Sequence, residues 1–297
     1  TNVEIAPKKY KIGFSQWTGD IKWRNATRDG INRELTFHPG SALLYRNADD
    51  NSTLQIQQIR ELIKQGIDIL LVSPNEAEPL TAIVEEVHNK GIPVVVIDRR
   101  ILSDQYTAFV GANNFEIGNM AGNYLSNIYK PNSSVIEIIG LKGSTSSVER
   151  KKGFEKAIQE NPEIKIKASI YGNWLKEKAS EELWKIRDML SPDDIIFAQN
   201  DPMALGAYEI YKKLGFEKQA TFIGVDGLAG PNGGIDLVTD KKLKATLLNP
   251  TGGEEAVQIA FKILNKEAFS KENTLSTVVI DSTNVRIMKL QTEKINA

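Results

Sequence analysis

The stretch Phe197-Ala-Gln-Asn-Asp-Pro-Met-Ala-Leu-Gly-Ala207 decides how this chain is read. An apolar run, Asp194-Ile-Ile-Phe-Ala198, stops abruptly at Gln199, Asn200 and Asp201. A helical pattern follows, with Pro202 in its first turn, where the missing N–H costs nothing. Asn200 and Asp201 therefore stand where a buried parallel strand hands over to a helix. In open α/β sheets that crevice is where ligands bind. Asp201 taken alone could equally be a cap for the helix.

The same event recurs along the chain. Tyr10-Lys-Ile-Gly-Phe14 ends in Ser15, Gln16 and Trp17, and Ile69-Leu-Leu-Val72 ends in Ser73-Pro-Asn-Glu76. Pro93-Val-Val-Val-Ile97 ends in Asp98-Arg-Arg100, and Thr221-Phe-Ile-Gly-Val225 ends in Asp226-Gly227. Short apolar runs without alternation suit parallel strands buried on both faces. Charge at the end of such a strand is costly unless partnered, so several converging polar ends point to a binding site.

Between these strands lie helical patterns. Residues near 24–37 read as a helix, Ser41–Tyr45 as a strand, and Leu54 to Ile63 as a helix closed by Gly66. Ile67–Val72 is a strand, Leu80–Lys90 a helix closed by Gly91, and Ile92–Ile97 a strand. A second series starts after Asn113-Asn114, with helices over 115–128, 146–160, 175–189 and 202–214. Its strands are Ser134–Ile139, Lys165–Tyr171, 194–198 and 220–225. Strand Lys244–Leu248, helix Glu254–Asn265 and short strands near 277–281 and 285–290 complete the chain. The alternation specifies an α/β fold of two doubly wound parallel-sheet lobes. The expected lobes are 1–112 plus 250–281, and 113–249 plus 282–297.

Composition narrows the function. The 297 residues suit two domains rather than one core. Charge is balanced, 37 basic against 38 acidic residues, with no basic block, which argues against a nucleic-acid partner. No run of 18 apolar residues is present, so a membrane would be met only through segments outside this chain. Cysteine is absent, which removes disulfides, thiol nucleophiles and Cys-based metal sites. His38 and His88 fall on helices or their ends, and no nucleophile elbow, P-loop or zinc spacing occurs. Gly140-Leu-Lys-Gly-Ser-Thr145 lacks the Gly-Lys-Ser/Thr ending of a phosphate loop. Asp98 and Asp226 could in principle cleave a glycoside, but their amide and guanidinium neighbours suit binding. The reading is of a non-enzyme with no cofactor and no metal.

Several short motifs carry a family resemblance. Gly13-Phe-Ser-Gln16 with Trp23-Arg-Asn-Ala26 resembles the galactofuranose-binding pattern. Val96-Ile-Asp-Arg99, Glu149-Arg150 before Gly153-Phe154, Phe197–Ala207 and Gly224-Val-Asp-Gly227 resemble the wider ribose/galactofuranose branch of the type I periplasmic sugar-binding proteins. Within that branch, Asp49-Asp-Asn-Ser52, Ile101-Leu-Ser-Asp104, Gly143-Ser-Thr145, Asn249-Pro-Thr251 and Asp281-Ser-Thr-Asn284 with Val285–Thr292 resemble periplasmic sensor domains of Bacteroides-type hybrid two-component systems.

The resemblance implies two lobes on a three-strand hinge that close around a sugar, in the periplasm. It carries over as ligand-binding residues Trp23, Arg24, Asp98, Arg99, Arg150, Trp174, Asn200, Asp226 and Asn249. Asp98 would accept from vicinal hydroxyls while Arg99 and Arg150 donate. Trp23 and Trp174 would pack on the sugar's C–H face, whereas Trp184 suits a core position in its amphipathic helix. Arg24 stands where ribose binders carry a second aromatic. Trp17 lies in a lengthened loop with its role open, and Ser73 replaces a family Asn, which puts its contact in doubt. The expected ligand is fructose or a related furanose, and the expected role is a sensor that signals by lobe closure, with room for a homodimer through the full-length receptor. The alternative is a free substrate-binding protein of a sugar ABC transporter. A sugar-responsive repressor shares the fold, but this chain begins almost directly on its first strand. Leu290, Lys294 and Ile295 could begin a helix toward a membrane span.

Overall fold

The computed structural model describes residues 9–19 and 21–295, with the side chain of Ile295 left aside. In chain order the elements begin β1 (Lys11–Gln16), α1 (Lys22–Leu35), β2 (Ala42–Asn47), α2 (Ser52–Lys64), β3 (Ile69–Ser73), α3 (Ala77–Asn89), β4 (Val94–Ile97) and β5 (Ala108–Ala112). They continue with α4 (Asn114–Ile128), β6 (Val135–Ile139), α5 (Thr145–Gln159), β7 (Ile166–Tyr171), α6 (Lys176–Lys185), β8 (Ile195–Ala198), α7 (Asp201–Lys213) and β9 (Thr221–Asp226). The last are α8 (Gly234–Thr239), β10 (Ala245–Leu248), α9 (Gly253–Leu264), β11 (Glu272–Leu275), β12 (Val279–Asp281) and α10 (Val285–Ile295).

Two compact units result, 1–112 with 251–275 and 113–250 with 276–297, so the chain passes between them three times. The first holds a six-stranded sheet in the order β11-β5-β4-β3-β1-β2, parallel at every pairing. Its strands are apolar on both faces because helices cover both. Ile12, Phe14, Ile69, Leu71, Val95, Ile97 and Val110 pack with Ile31 of α1 and Val257, Ala260 and Phe261 of α9. The intervening Leu70, Val72, Val94, Val96 and Phe109 pack with Ile59 and Leu62 of α2 and with Leu80, Ile83, Val84 and Val87 of α3. Fully burying each such side chain contributes about 1.5–3 kcal/mol. Strand β5, Ala108-Phe-Val-Gly-Ala112, escapes the sequence reading because its small, glycine-containing run is a weak strand signal.

The second unit holds the sheet β12-β10-β9-β8-β6-β7, parallel except that β12 runs antiparallel to β10. Residues 276–281, expected with the first lobe, belong to the second unit through the pairing of Ala245 with Asp281 and Leu247 with Val279. The strand expected near 285–290 is helix α10. Asn284 starts it: its side chain accepts from Asp281 N–H at 2.9 Å, and its carbonyl accepts from Met288 N–H at 3.1 Å. The β-branched Val285 and Ile287 suggest a strand, but Val285, Met288 and Thr292 share one half-buried side at helical spacing. The short α8 was also missed.

Candidate functional site

In the first unit the candidate residues meet at the carboxyl ends of β1, β3 and β4. Trp23 and Arg24 lie in the first turn of α1 and are buried, 4% and 3% exposed. Asp98 and Arg99 directly follow β4 and are equally buried. Arg24 donates from one terminal nitrogen to Asp98 Oδ2 at 2.5 Å and from the other to Ser73 Oγ at 3.1 Å. Its guanidinium lies 4.4 Å from the Trp23 ring and 5.1 Å from the Trp17 ring. Gln16 holds the helix start by donating to the Arg24 carbonyl at 3.1 Å, and Tyr45 donates to Gln16 Oε1 at 2.9 Å. Ser73, which stands where the family carries Asn, is thus a partner of Arg24. Arg99 takes a different partner, donating to the Asn75 carbonyl at 2.7 Å, with its guanidinium 3.9 Å from the Trp17 ring.

In the second unit the candidates gather around Arg150, which projects from α5. Its position is set by the approach of α4 and α5: a Cβ on Gly118 would fall 2.0 Å from the Arg150 carbonyl oxygen, and one on Gly153 would fall 2.0 Å from that of Phe115. Only glycine permits this crossing. Arg150 then donates to Asn114 Oδ1 at 2.9 Å and to the Gln199 carbonyl at 2.6 Å, with the Trp174 ring 5.4 Å from its guanidinium. The Trp174 ring seats over Gly140, where a Cβ would come within 2.2 Å of it.

Asn200 ties these parts together. Its Oδ1 caps α7 by accepting from Met203 N–H at 2.9 Å, and its Nδ2 donates to the Trp174 carbonyl at 2.9 Å. Asp201 is therefore not the helix cap that sequence alone allowed. Its carboxylate turns to β9 and β10, accepting from Gly227 N–H at 2.9 Å and from the Thr246 hydroxyl at 2.7 Å. Burial pushes its carboxyl up to about 7, against the hydrogen bonds and the field of Arg150. Asp226 lies at the end of β9, and its carbonyl accepts from Asn249 N–H at 3.1 Å. Asn249 is buried as well.

Backbone strain marks the same places. Asp98 has φ 65°, Trp174 φ 68° and Asp226 φ 130°, a region costing a residue with a side chain on the order of 1–3 kcal/mol. Trp184, expected in the core, is instead 43% exposed, with Arg187 at 4.9 Å and Lys213 at 5.9 Å over its ring. Its helix has a narrow apolar stripe, and Ala179 and Leu183 alone fill it.

Residues that sequence reasoning passed over complete the picture. Gln55 donates to Ser15 Oγ and the Ser73 carbonyl, and its Oε1 accepts from Asn75 N–H. Gln199 accepts from Gly140 N–H and donates to the Ser147 carbonyl. Asn75 and Gln199 had a signal, since both lie in polar runs that end strands. Gln55 looked like any polar helix residue. Among the described residues no cluster of His, Cys, Asp or Glu could hold a metal ion, and no helix is long and apolar enough to cross a membrane. Each set, taken by itself, presents charged donors and acceptors beside aromatic rings, groups that can meet the hydroxyl edge and the C–H face of a polyhydroxylated ring.

Comparison with known proteins agrees with this chemistry. The structure titled as the fructose-binding periplasmic domain of the hybrid two-component system BT1754 is 40% identical, with TM-score 0.93, covering 97% of this chain and 95% of its own. The ribose import binding protein RbsB of Bacillus subtilis is 28% identical over 269 residues, 89% of this chain and 85% of its own length. The galactofuranose-binding protein YtfQ of Escherichia coli is 28% identical over 231 residues, 75% of this chain and 71% of its own. The family described as periplasmic binding protein domain matches residues 12–268, and this chain belongs to that family.

Proposed function

We propose that this chain is a periplasmic sugar-binding domain for a furanose-form sugar, fructose first, and that it serves as the sensor of a hybrid two-component histidine kinase. The observation that carries the reading is the buried Arg24–Asp98 pair, which joins the start of α1 to the end of β4 and is flanked by the Trp17 and Trp23 rings. Arg150 beside Trp174 repeats the pattern in the other unit. Guanidinium and carboxylate groups match vicinal hydroxyls, and indole faces match the apolar C–H surface. Fructose is favoured by the BT1754 domain, and a furanose form by the galactofuranose-binding relative.

The ligand-binding residues on this reading are Trp23, Arg24, Asp98 and Arg99 from one unit and Arg150, Trp174, Asn200, Asp226 and Asn249 from the other. The domain performs no chemistry of its own. His38 stacks on Phe261 with ring centroids 3.6 Å apart, and His88 closes α3, both away from the strand ends. A kinase would lie outside this chain.

A second reading, a free binding protein delivering sugar to an ABC transporter, is favoured by the likeness to RbsB. Sedimentation with and without fructose separates the two. A sensor domain self-associates when sugar binds, since its signal passes through paired subunits, whereas a transport protein stays monomeric at every sugar concentration.

A further inference from the structure

The carboxyl ends of β1, β2, β3 and β4 are tied into one closed circuit. The Trp17 carbonyl accepts from Asp50 N–H at 2.9 Å. The Asp50 carbonyl in turn accepts from Asn75 Nδ2 at 3.2 Å, a nitrogen that also donates to Ser52 Oγ at 3.0 Å. The Asn75 carbonyl accepts from Arg99 at 2.7 Å, and the Arg99 guanidinium returns to the Trp17 ring at 3.9 Å.

Trp17 Nε1 and Asn75 Oδ1, both in this circuit, have no hydrogen-bond partner among the described residues. Both residues are only 2% exposed. An unsatisfied buried donor or acceptor is destabilising, and native proteins retain few of them without a reason. One atom is a donor and the other an acceptor. A carboxylate could serve only Trp17, and an ammonium could serve only Asn75. A hydroxyl both accepts and donates, so a hydroxylated ligand suits the pair.

We propose that Trp17 and Asn75 are direct sugar contacts, the indole N–H donating to a sugar hydroxyl and the Asn75 side-chain oxygen accepting from one. They fix which hydroxyl pattern the first unit accepts. This inference rests on the sugar-binding reading above and adds two residues to its site. It also gives the lengthened loop after β1 a purpose, because that loop carries Trp17.

Trp17→Phe removes the N–H while keeping a ring against Arg99. Calorimetry with D-fructose and its monodeoxy analogues should show a roughly tenfold weaker complex with fructose, the equivalent of about 1.4 kcal/mol. The loss should vanish for the one analogue that lacks the contacted hydroxyl. Wild-type affinity in the variant, or an equal loss toward every analogue, overturns the contact while leaving sugar binding intact. Failure of the wild-type chain to bind any sugar overturns both. Should the variant not fold, the indole N–H resonance of Trp17 in the wild-type protein decides. It should move downfield when fructose saturates the site, and a resonance that stays put overturns the proposal.

Discussion

Arg24 and Asp98 form a buried ion pair, Nη to Oδ2 at 2.5 Å, with side chains only 4% and 6% exposed. They join the first turn of a helix to the end of a strand 74 residues later. Burying two charges is costly, and their attraction repays it only with good geometry and further hydrogen bonds. Arg24 makes one such bond to Ser73 and stacks its guanidinium against two indole faces. The pair keeps charge poised at the strand ends where a ligand can use it.

Removing one partner should therefore be worse than removing both. Asp98→Ala leaves a buried guanidinium unopposed and should destabilise the chain by about 3–5 kcal/mol. Arg24→Met combined with Asp98→Leu should recover most of that stability yet bind no sugar. Urea unfolding and calorimetry on the three proteins check both halves of the statement.

Arg150 makes the corresponding test in the second unit. Arg150→Ala removes the donor to Asn114 and Gln199 and should cost about 2–5 kcal/mol of sugar affinity, much of it from groups left unpaired. A well-folded variant with unchanged affinity would remove Arg150 from the site.

Two buried carboxyls should make stability depend on pH. Burial raises Asp201 and Glu137 each to about 7. Their folded values lie above the unfolded ones, so the folded chain binds more protons between roughly pH 4 and 7. Their contribution is fully present below the unfolded value and is lost as pH rises through 7. The melting temperature should thus carry a downward component across this window, and Asp201→Asn with Glu137→Gln should flatten it. An identical slope in the double variant would contradict the assignment.

The aromatic seat offers a steric test. A Cβ on Gly140 would come within 2.2 Å of the Trp174 ring, so Gly140→Ala should displace the indole and weaken sugar binding. The Trp174 fluorescence response to sugar should change with it.

Much of this was legible in the sequence because doubly buried strands and the polar residues that end them announce themselves. Val94 to Ile97 feed two cores alternately, and a run so uniformly apolar fits little besides a strand covered on both faces. Asp98, Arg150 and Asn200 stood out through position and family resemblance. What escaped depended on tertiary context. Strand β5 is held by β4 and β11 rather than by its own propensity. The last helix contains β-branched residues, and its first turn is fixed by Asn284. That Arg24 pairs with Asp98, while Arg99 turns to Asn75, follows from strand order and not from adjacency. Asp201 likewise looked like a cap until β9 and β10 supplied its partners.

On the proposed function, this chain holds a furanose sugar without altering it. Isothermal titration with D-fructose, followed by recovery of the sugar, tests it most directly. The expected result is a single saturable site, a melting temperature that rises with sugar concentration as mass action requires, and fructose recovered intact. No binding by fructose or by any other furanose-form sugar, or release of a product from one, would contradict it.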